Sequence, residues 1–333
     1  MEPPTPISFR FSDLPTELAL LIFKYAAQTT FAQHARYTTR NPYSSALSLS
    51  RVSKFVRRTV LPEILHTVLL PEARHVTAFV RALRMQKTYV DQQQHDLSLD
   101  YASHVHRMSI GEFRGPLQGL NTSLRSRFTP SAAELDSESD VSLLAPVILA
   151  VSSLTIDFGT LDILSGCLKH VCNSDVDLDV NHRDSPLPWS TKSLALSGSI
   201  SRRWWPFVGS VHGYTFLASI QHLTLFSSTS FGKCLPFQCD CVSETDSQGS
   251  VPYVVPLWMA RAPFKGLQTF SLAIPHKCVS SDKEIWVKLV TFPASLLPEP
   301  CTPEEIKTFI ETGAGFTPFV LSPVFLYRKL STF

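Results

Sequence analysis

Five times along this chain the same five-residue phrase returns: two polar residues, an apolar one, a small one, an apolar one. The copies are His106-Arg107-Met108-Ser109-Ile110, Ser152-Ser153-Leu154-Thr155-Ile156, Lys192-Ser193-Leu194-Ala195-Leu196, Gln221-His222-Leu223-Thr224-Leu225 and Gln268-Thr269-Phe270-Ser271-Leu272. Alternation with period two places both apolar side chains of each copy on one face of a strand and the Ser, Thr or Ala on the other. Each copy therefore reads as a strand. Helical signals fall between and before the copies: Val76, Phe79, Val80 and Leu83; Leu161, Leu164, Leu168 and Val171; Trp204, Phe207, Val208 and Val211; and a less regular run from Tyr253 to Ala262. Strand alternating with helix is the α/β class, and a unit that buries its apolar face only by stacking on its neighbours makes a solenoid. From Met108 to Leu154, Leu194, Leu223 and Phe270 the steps are 46, 40, 29 and 47 residues. The solenoid is expected to be irregular.

A different period governs the chain before residue 67. Leu14, Leu18, Leu21, Ile22 and Tyr25 recur at helical spacing, leaving Thr16, Glu17, Lys24 and Gln28 for water. Pro15 suits a first helical turn, and Glu17 complements the positive end of the helix dipole. A second amphipathic run holds Leu49, Val52, Val56 and Val60, with Ala46 and Leu47 before it and Arg51, Lys54, Arg57 and Arg58 on the remaining arc. Pro62 is expected to kink or restart it, opening a short turn with Glu63, Ile64 and Leu65 before the β-branched run Thr67-Val68-Leu69-Leu70. Three helices this short bury little surface by themselves, so they need a neighbour or a partner.

This pattern resembles the F-box, the adaptor-binding module of substrate receptors in cullin-RING ubiquitin ligases. The matching residues are Leu14-Pro15-x-Glu17-Leu18, Ile22-Phe23 and Leu49-x-x-Val52-Ser53-Lys54-x-Val56-Arg57. The chain departs from the pattern in a longer loop, Thr29 to Ser45, and in Phe55-Val56 where many members carry tryptophan. The run from Arg51 to Glu63 with Leu65-His66-Thr67-Val68-Leu69 is similar, more narrowly, to F-box receptors of mushroom-forming fungi. The later chain resembles the divergent leucine-rich-repeat-like region of those receptors through Arg203-Trp204-x-Pro206, His212-Gly213 with Phe216-Leu217, and Trp258-Met259-Ala260-Arg261 with Pro263-Phe264.

The resemblance implies a small three-helix module over residues 1–66, with a disordered tail Met1 to Phe9, and an irregular leucine-rich-repeat-like domain over residues 67–333. It implies contacts to a Skp-type adaptor, and through it a cullin, by Leu14, Pro15, Leu18, Ile22, Val52 and Val56. The repeat region would then hold a protein target, making the chain a non-catalytic subunit of a ligase. Two rivals are a repeat scaffold with no ligase association and an enzyme of unrecognised class.

Composition narrows the remaining choices. In 333 residues, 44% hydrophobic and 17% charged content fits a folded chain with a large core. A net charge of +2 gives no general reason to expect nucleic acid or an anionic membrane surface. The basic sets Arg51, Lys54, Arg57, Arg58 and Arg202-Arg203-Trp204-Trp205 are the candidates to the contrary, read as the wet side of a helix and as core packing. Met1 to Ser12 lacks the pattern of a secretory signal, and no run approaches ~20 apolar residues, so the expected location is cytoplasmic or nuclear.

Seven cysteines are expected to be mostly reduced thiols. Cys234, Cys239 and Cys241 lack a second ligand pair for zinc. The alternation of Asp175, Asp177, Asp179 and Asn181 with Val176, Leu178 and Val180 reads as a strand with an acidic face, because Val180 and Pro186 fall where a calcium loop needs Gly and Glu. Cys167 lies near His170 on an expected helix, but catalytic partners normally come from separate elements. No cofactor, metal or catalytic residue is assigned. Gln86 to Asp96 reads as an exposed connection, and residues near 129–142 and 238–252 as mobile loops. Glu284 to Phe292 fits a helix or a strand, Pro303 to Thr312 a helix, and Phe316 to Leu326 has no clear assignment.

Overall fold

The structure, a computed structural model, describes residues 14–28, 43–94, 97–111, 138–174, 187–198, 203–226, 253–255, 263–277, 285–294 and 319–321. The chain divides into two units, one built on residues up to Val68 and a second on Leu69–Lys329. The division expected from sequence lay at 66/67.

The first unit is three helices, α1 (Thr16–Ala27), α2 (Ser44–Leu49) and α3 (Lys54–His66). The run expected to form one helix from Ala46 to Val60 is two, because Ser53 interrupts it. Its backbone is extended, and its hydroxyl accepts a hydrogen bond from the Val56 N–H at 3.2 Å, which starts α3 afresh. Pro62 neither ends nor restarts α3 but lies inside it. Pro15 is not in the first turn either. It is the N-cap of α1, and its carbonyl accepts the first helical bond from Ala19 N–H.

The second unit is an α/β arrangement. Its strands are β1 (Thr67–Leu70), within which the division falls, β2 (Arg107–Ile110), β3 (Ser153–Asp157), β4 (Ser193–Ser197), β5 (His222–Phe226), β7 (Thr269–Lys277) and β8 (Ile285–Pro293), and they lie in one sheet in that order. The strands up to β7 form a six-strand parallel sheet, and β8 adds antiparallel to β7. A separate antiparallel pair joins β6 (Tyr253–Val255) to β9 (Phe319–Leu321). The helical reading of Tyr253 to Ala262 is thus overturned at its start, and of the segment left open between helix and strand, Ile285 to Phe292 is strand while Glu284 lies outside the described residues.

The five-residue phrases are five neighbouring strands in register. Met108 pairs with Leu154, Leu154 with Leu194, Leu194 with Leu223, and Leu223 with Phe270. All five are buried, as are Ile110, Ile156, Leu196, Leu225 and Leu272 one pleat further on. The polar pair that opens each phrase has a backbone role. His106 O accepts from the N–H groups of both Ser152 and Ser153, Ser152 O from Lys192 and Ser193, Lys192 O from Gln221 and His222, and Gln221 O from Gln268 and Thr269. Each strand therefore enters the sheet by hanging two donors on the carbonyl that precedes the strand before it, a polar backbone ladder that fixes register.

The crossovers are helices that touch one another: α4 (Ala73–Asp91) meets α6 (Glu138–Ala150), α6 meets α7 (Leu161–Ser174), and α7 meets α8 (Trp204–Gly209) and α9 (Val211–Ala218). A parallel sheet that grows in one direction with crossovers of one hand puts them all on one face, where the apolar half of each strand needs cover. Arg84 of α4 pairs with the carboxylate of Asp140, which is buried in the first turn of α6. Residues 138–142 are accordingly helix, correcting the loop expected there, and residues 129–137 and 238–252 lie outside the described residues. Likewise α4 continues to Asp91, so most of the connection expected from Gln86 is helix. The helical run expected from Trp204 to Val211 breaks at Ser210, whose hydroxyl accepts from Gly213 N–H and caps α9, leaving Val211 exposed. No described helix is long and apolar enough to cross a membrane.

Candidate docking surface

Among the described residues the buried cluster of the three-helix unit is small. Ala27, Ala46, Val56 and Val60 form it, with Phe23, Leu49 and Ile64 packed around them, and Leu65 of α3 is buried as well. Two alanines where the helices meet permit close approach of the backbones but bury little apolar area, so this unit has little stability of its own to spare. Lys24 at the end of α1 meets Glu63 of α3 at 3.3 Å and ties the two helices at their rim.

That core uses one side of α1 only. Phe23 and Ala27, one turn apart, face α2 and α3. Leu18, Leu21, Ile22 and Tyr25, spaced i, i+3, i+4 and i+7, stand on the opposite side and are 49%, 47%, 47% and 64% exposed. The helix has two apolar stripes, and the larger one meets solvent. Val52, in the turn between α2 and α3, is 65% exposed, and Phe55 on the first turn of α3 is 53% exposed; Leu47 of α2 is exposed as well. Fully burying one such side chain is worth about 1.5–3 kcal/mol, so a partner that covered this stripe would gain several kcal/mol that the unit itself leaves unused.

Of the six residues nominated from sequence, Leu18, Ile22, Val52 and Pro15 are exposed and Leu14 is half-buried. Val56 is the correction. At 5% exposure it belongs to the core with Val60, because the 3.6-residue spacing that joined it to Val52 runs across the break at Ser53. Sequence reasoning missed Leu21, Tyr25 and Phe55 as surface residues. For the first two the signal was present, since they complete the stripe that begins at Leu18.

The other candidates come apart in the structure. Cys167 is buried in α7, and burial pushes its thiol up to about 12. It is a neutral thiol at physiological pH, so its proximity in sequence to His170 makes no nucleophile. Trp204 is buried and stands edge-on to Phe158, with ring centroids 5.6 Å apart. Arg203 pairs with Asp162 at 2.8 Å and donates to the carbonyl of Gly159. Ring and guanidinium are therefore committed within the fold, away from any base. The three clustered cysteines and residues 175–181 lie outside the described residues, and among the described ones no three His, Cys, Asp or Glu side chains converge as a metal site.

The other face of the sheet carries small side chains in rows. Ser109, Thr155, Ala195, Thr224, Ser271 and Thr291 follow one another strand by strand, and the Ser271 and Thr291 hydroxyls lie 2.9 Å apart. Two residues earlier on the same face, His222 Nδ1 lies 2.8 Å from the Thr269 hydroxyl. No protein-family model, no curated protein and no solved structure matches this chain.

Proposed function

We propose that this chain is a non-catalytic substrate receptor of a cullin-RING ubiquitin ligase. In this reading the three-helix unit is an F-box that docks on a Skp-type adaptor, and the α/β unit is an irregular leucine-rich-repeat-like solenoid that holds a protein target. The observation that carries it is the outward apolar stripe Leu18, Leu21, Ile22 and Tyr25, which the buried cluster of the described helices does not use. In this reading Leu14, Pro15 and Val52 are further contacts, as the F-box resemblance implies, with Phe55 exposed near Val52 in sequence.

The mechanism is proximity. A target held near a charged ubiquitin-conjugating enzyme experiences a raised effective concentration of that enzyme, and its lysines react without any chemistry by this chain. The row of small, hydroxyl-bearing side chains on the sheet suits target binding, because short side chains let another backbone approach closely while their hydroxyls donate and accept.

The test is complex formation between the full chain and a purified Skp-type adaptor. The wild-type chain is expected to co-elute with it, and Leu18→Ala/Ile22→Ala is expected to weaken the complex at least about tenfold, as loss of two central apolar anchors does. Both side chains lie outside the core, so the melting temperature of the variant should stay within about 2 °C of wild type. A wild-type chain that does not bind the adaptor, or a variant that binds equally well, would leave a repeat scaffold without ligase association as the better reading.

A further inference from the structure

Charge is divided unevenly along this chain. From Leu14 to His66 it carries seven basic and two acidic residues, a net charge of +5, so the remainder of a chain whose total is +2 carries −3. Neither carboxylate is placed to cancel the cations around α3. Glu63 is engaged by Lys24, and Glu17 lies in the first turn of α1, where it complements that helix's positive end. Arg51, Lys54 and Arg57 are exposed and make no ion pair among the described residues. They also alternate with the exposed apolar residues: Arg51 adjoins Val52, and Lys54 adjoins Phe55.

We infer that the surface which docks on the three-helix unit is an acidic protein surface with an apolar centre, its carboxylates set opposite Arg51, Lys54 and Arg57 and its apolar residues opposite Val52, Phe55 and the α1 stripe. The inference rests on the docking reading above and adds the chemistry of the partner. Uncompensated cations beside an apolar patch repel each other and steer an oppositely charged surface toward it, which raises the association rate and makes it salt-dependent. A nucleic acid is the other polyanion such a patch would attract. It is disfavoured because its phosphates would leave Leu18, Leu21, Ile22, Tyr25 and Phe55 in water, and because the rest of the chain is net negative and would repel it.

The experiment measures association kinetics of the full chain with the Skp-type adaptor between 50 and 300 mM salt, for wild type and for Arg51→Ala/Lys54→Ala/Arg57→Ala. These side chains are exposed, Arg51 in the turn before α3 and Lys54 and Arg57 on that helix, where alanine is favoured, so the variant folds, with circular dichroism as the check. The wild-type on-rate is expected to fall about tenfold or more across that range, and the variant to start about tenfold slower at low salt and lose most of the dependence. A variant with the wild-type on-rate and salt slope overturns the inference and leaves adaptor docking intact. A wild-type chain that ignores the adaptor at every salt overturns both. Binding of a duplex DNA or RNA probe by the wild type, abolished in the variant and unaccompanied by adaptor binding, likewise overturns both and assigns the cations to nucleic acid.

Discussion

Gly198, the residue that follows β4, has φ +83°, a region that side chains with a Cβ seldom enter, and a Cβ built there would lie 2.1 Å from the Asp157 carboxylate. That carboxylate is not free to move aside. It is buried at the end of β3 and accepts the Gly159 N–H at 2.7 Å, opening the turn into α7. Gly198→Ala is therefore expected to lower stability by about 1–3 kcal/mol, read as a shift in the denaturant midpoint at constant slope. Cys167 offers a second test. With its thiol at about 12 against 9.0 for an exposed one, the folded chain holds a proton between these values that the unfolded chain releases. Its burial thus has no pH-dependent effect below pH 9 and lowers stability progressively as pH rises through that window. At pH 8 an alkylating reagent should modify Cys167 only as fast as the chain unfolds, while denatured protein reacts at once.

Among the elements, α3 and α6 show what local pattern can and cannot convey. Ser53 caps α3 through its hydroxyl, so Ser53→Ala should cost about 1 kcal/mol of stability in the helical unit. Val60, with no exposure, should cost about 1–3 kcal/mol when cut to Ala; both changes are checked by thermal unfolding, and each should weaken adaptor binding only as far as it unfolds the unit. The cap residue was visible in the sequence beforehand, yet an apolar spacing continuing across it hid the break. In α6 the difficulty is the reverse. Leu144, Ala145, Val147, Ile148 and Leu149 are all buried, so no polar stripe marks the helical period, and an acidic, serine-rich approach reads as loop. Asp140 belongs to the helix because Arg84, distant in sequence, pairs with it.

For the molecule as a whole, the sheet and the proposed docking surface call on opposite properties of apolar residues. Leu154, Leu194 and Leu223 lie side by side and are buried, so Leu194→Ala at the centre of this row should remove about 2–5 kcal/mol. It should do so without changing affinity for the adaptor, measured below the unfolding transition. Leu18 and Ile22 carry the same chemistry but stand about half exposed, where the proposed docking would use them. The α/β class, the five strands with their inward faces, the helical character before residue 67 and the small polar rows were legible from the chain alone, because a period of two or of 3.6 residues is a local consequence of backbone geometry; where the second and third helices divide was not. Which stripe of α1 points inward was not, since a helix apolar on both sides satisfies the same period either way. That choice fell to the tertiary structure: Phe23 and Ala27 fit against two neighbouring helices, and the bulkier stripe was left outside.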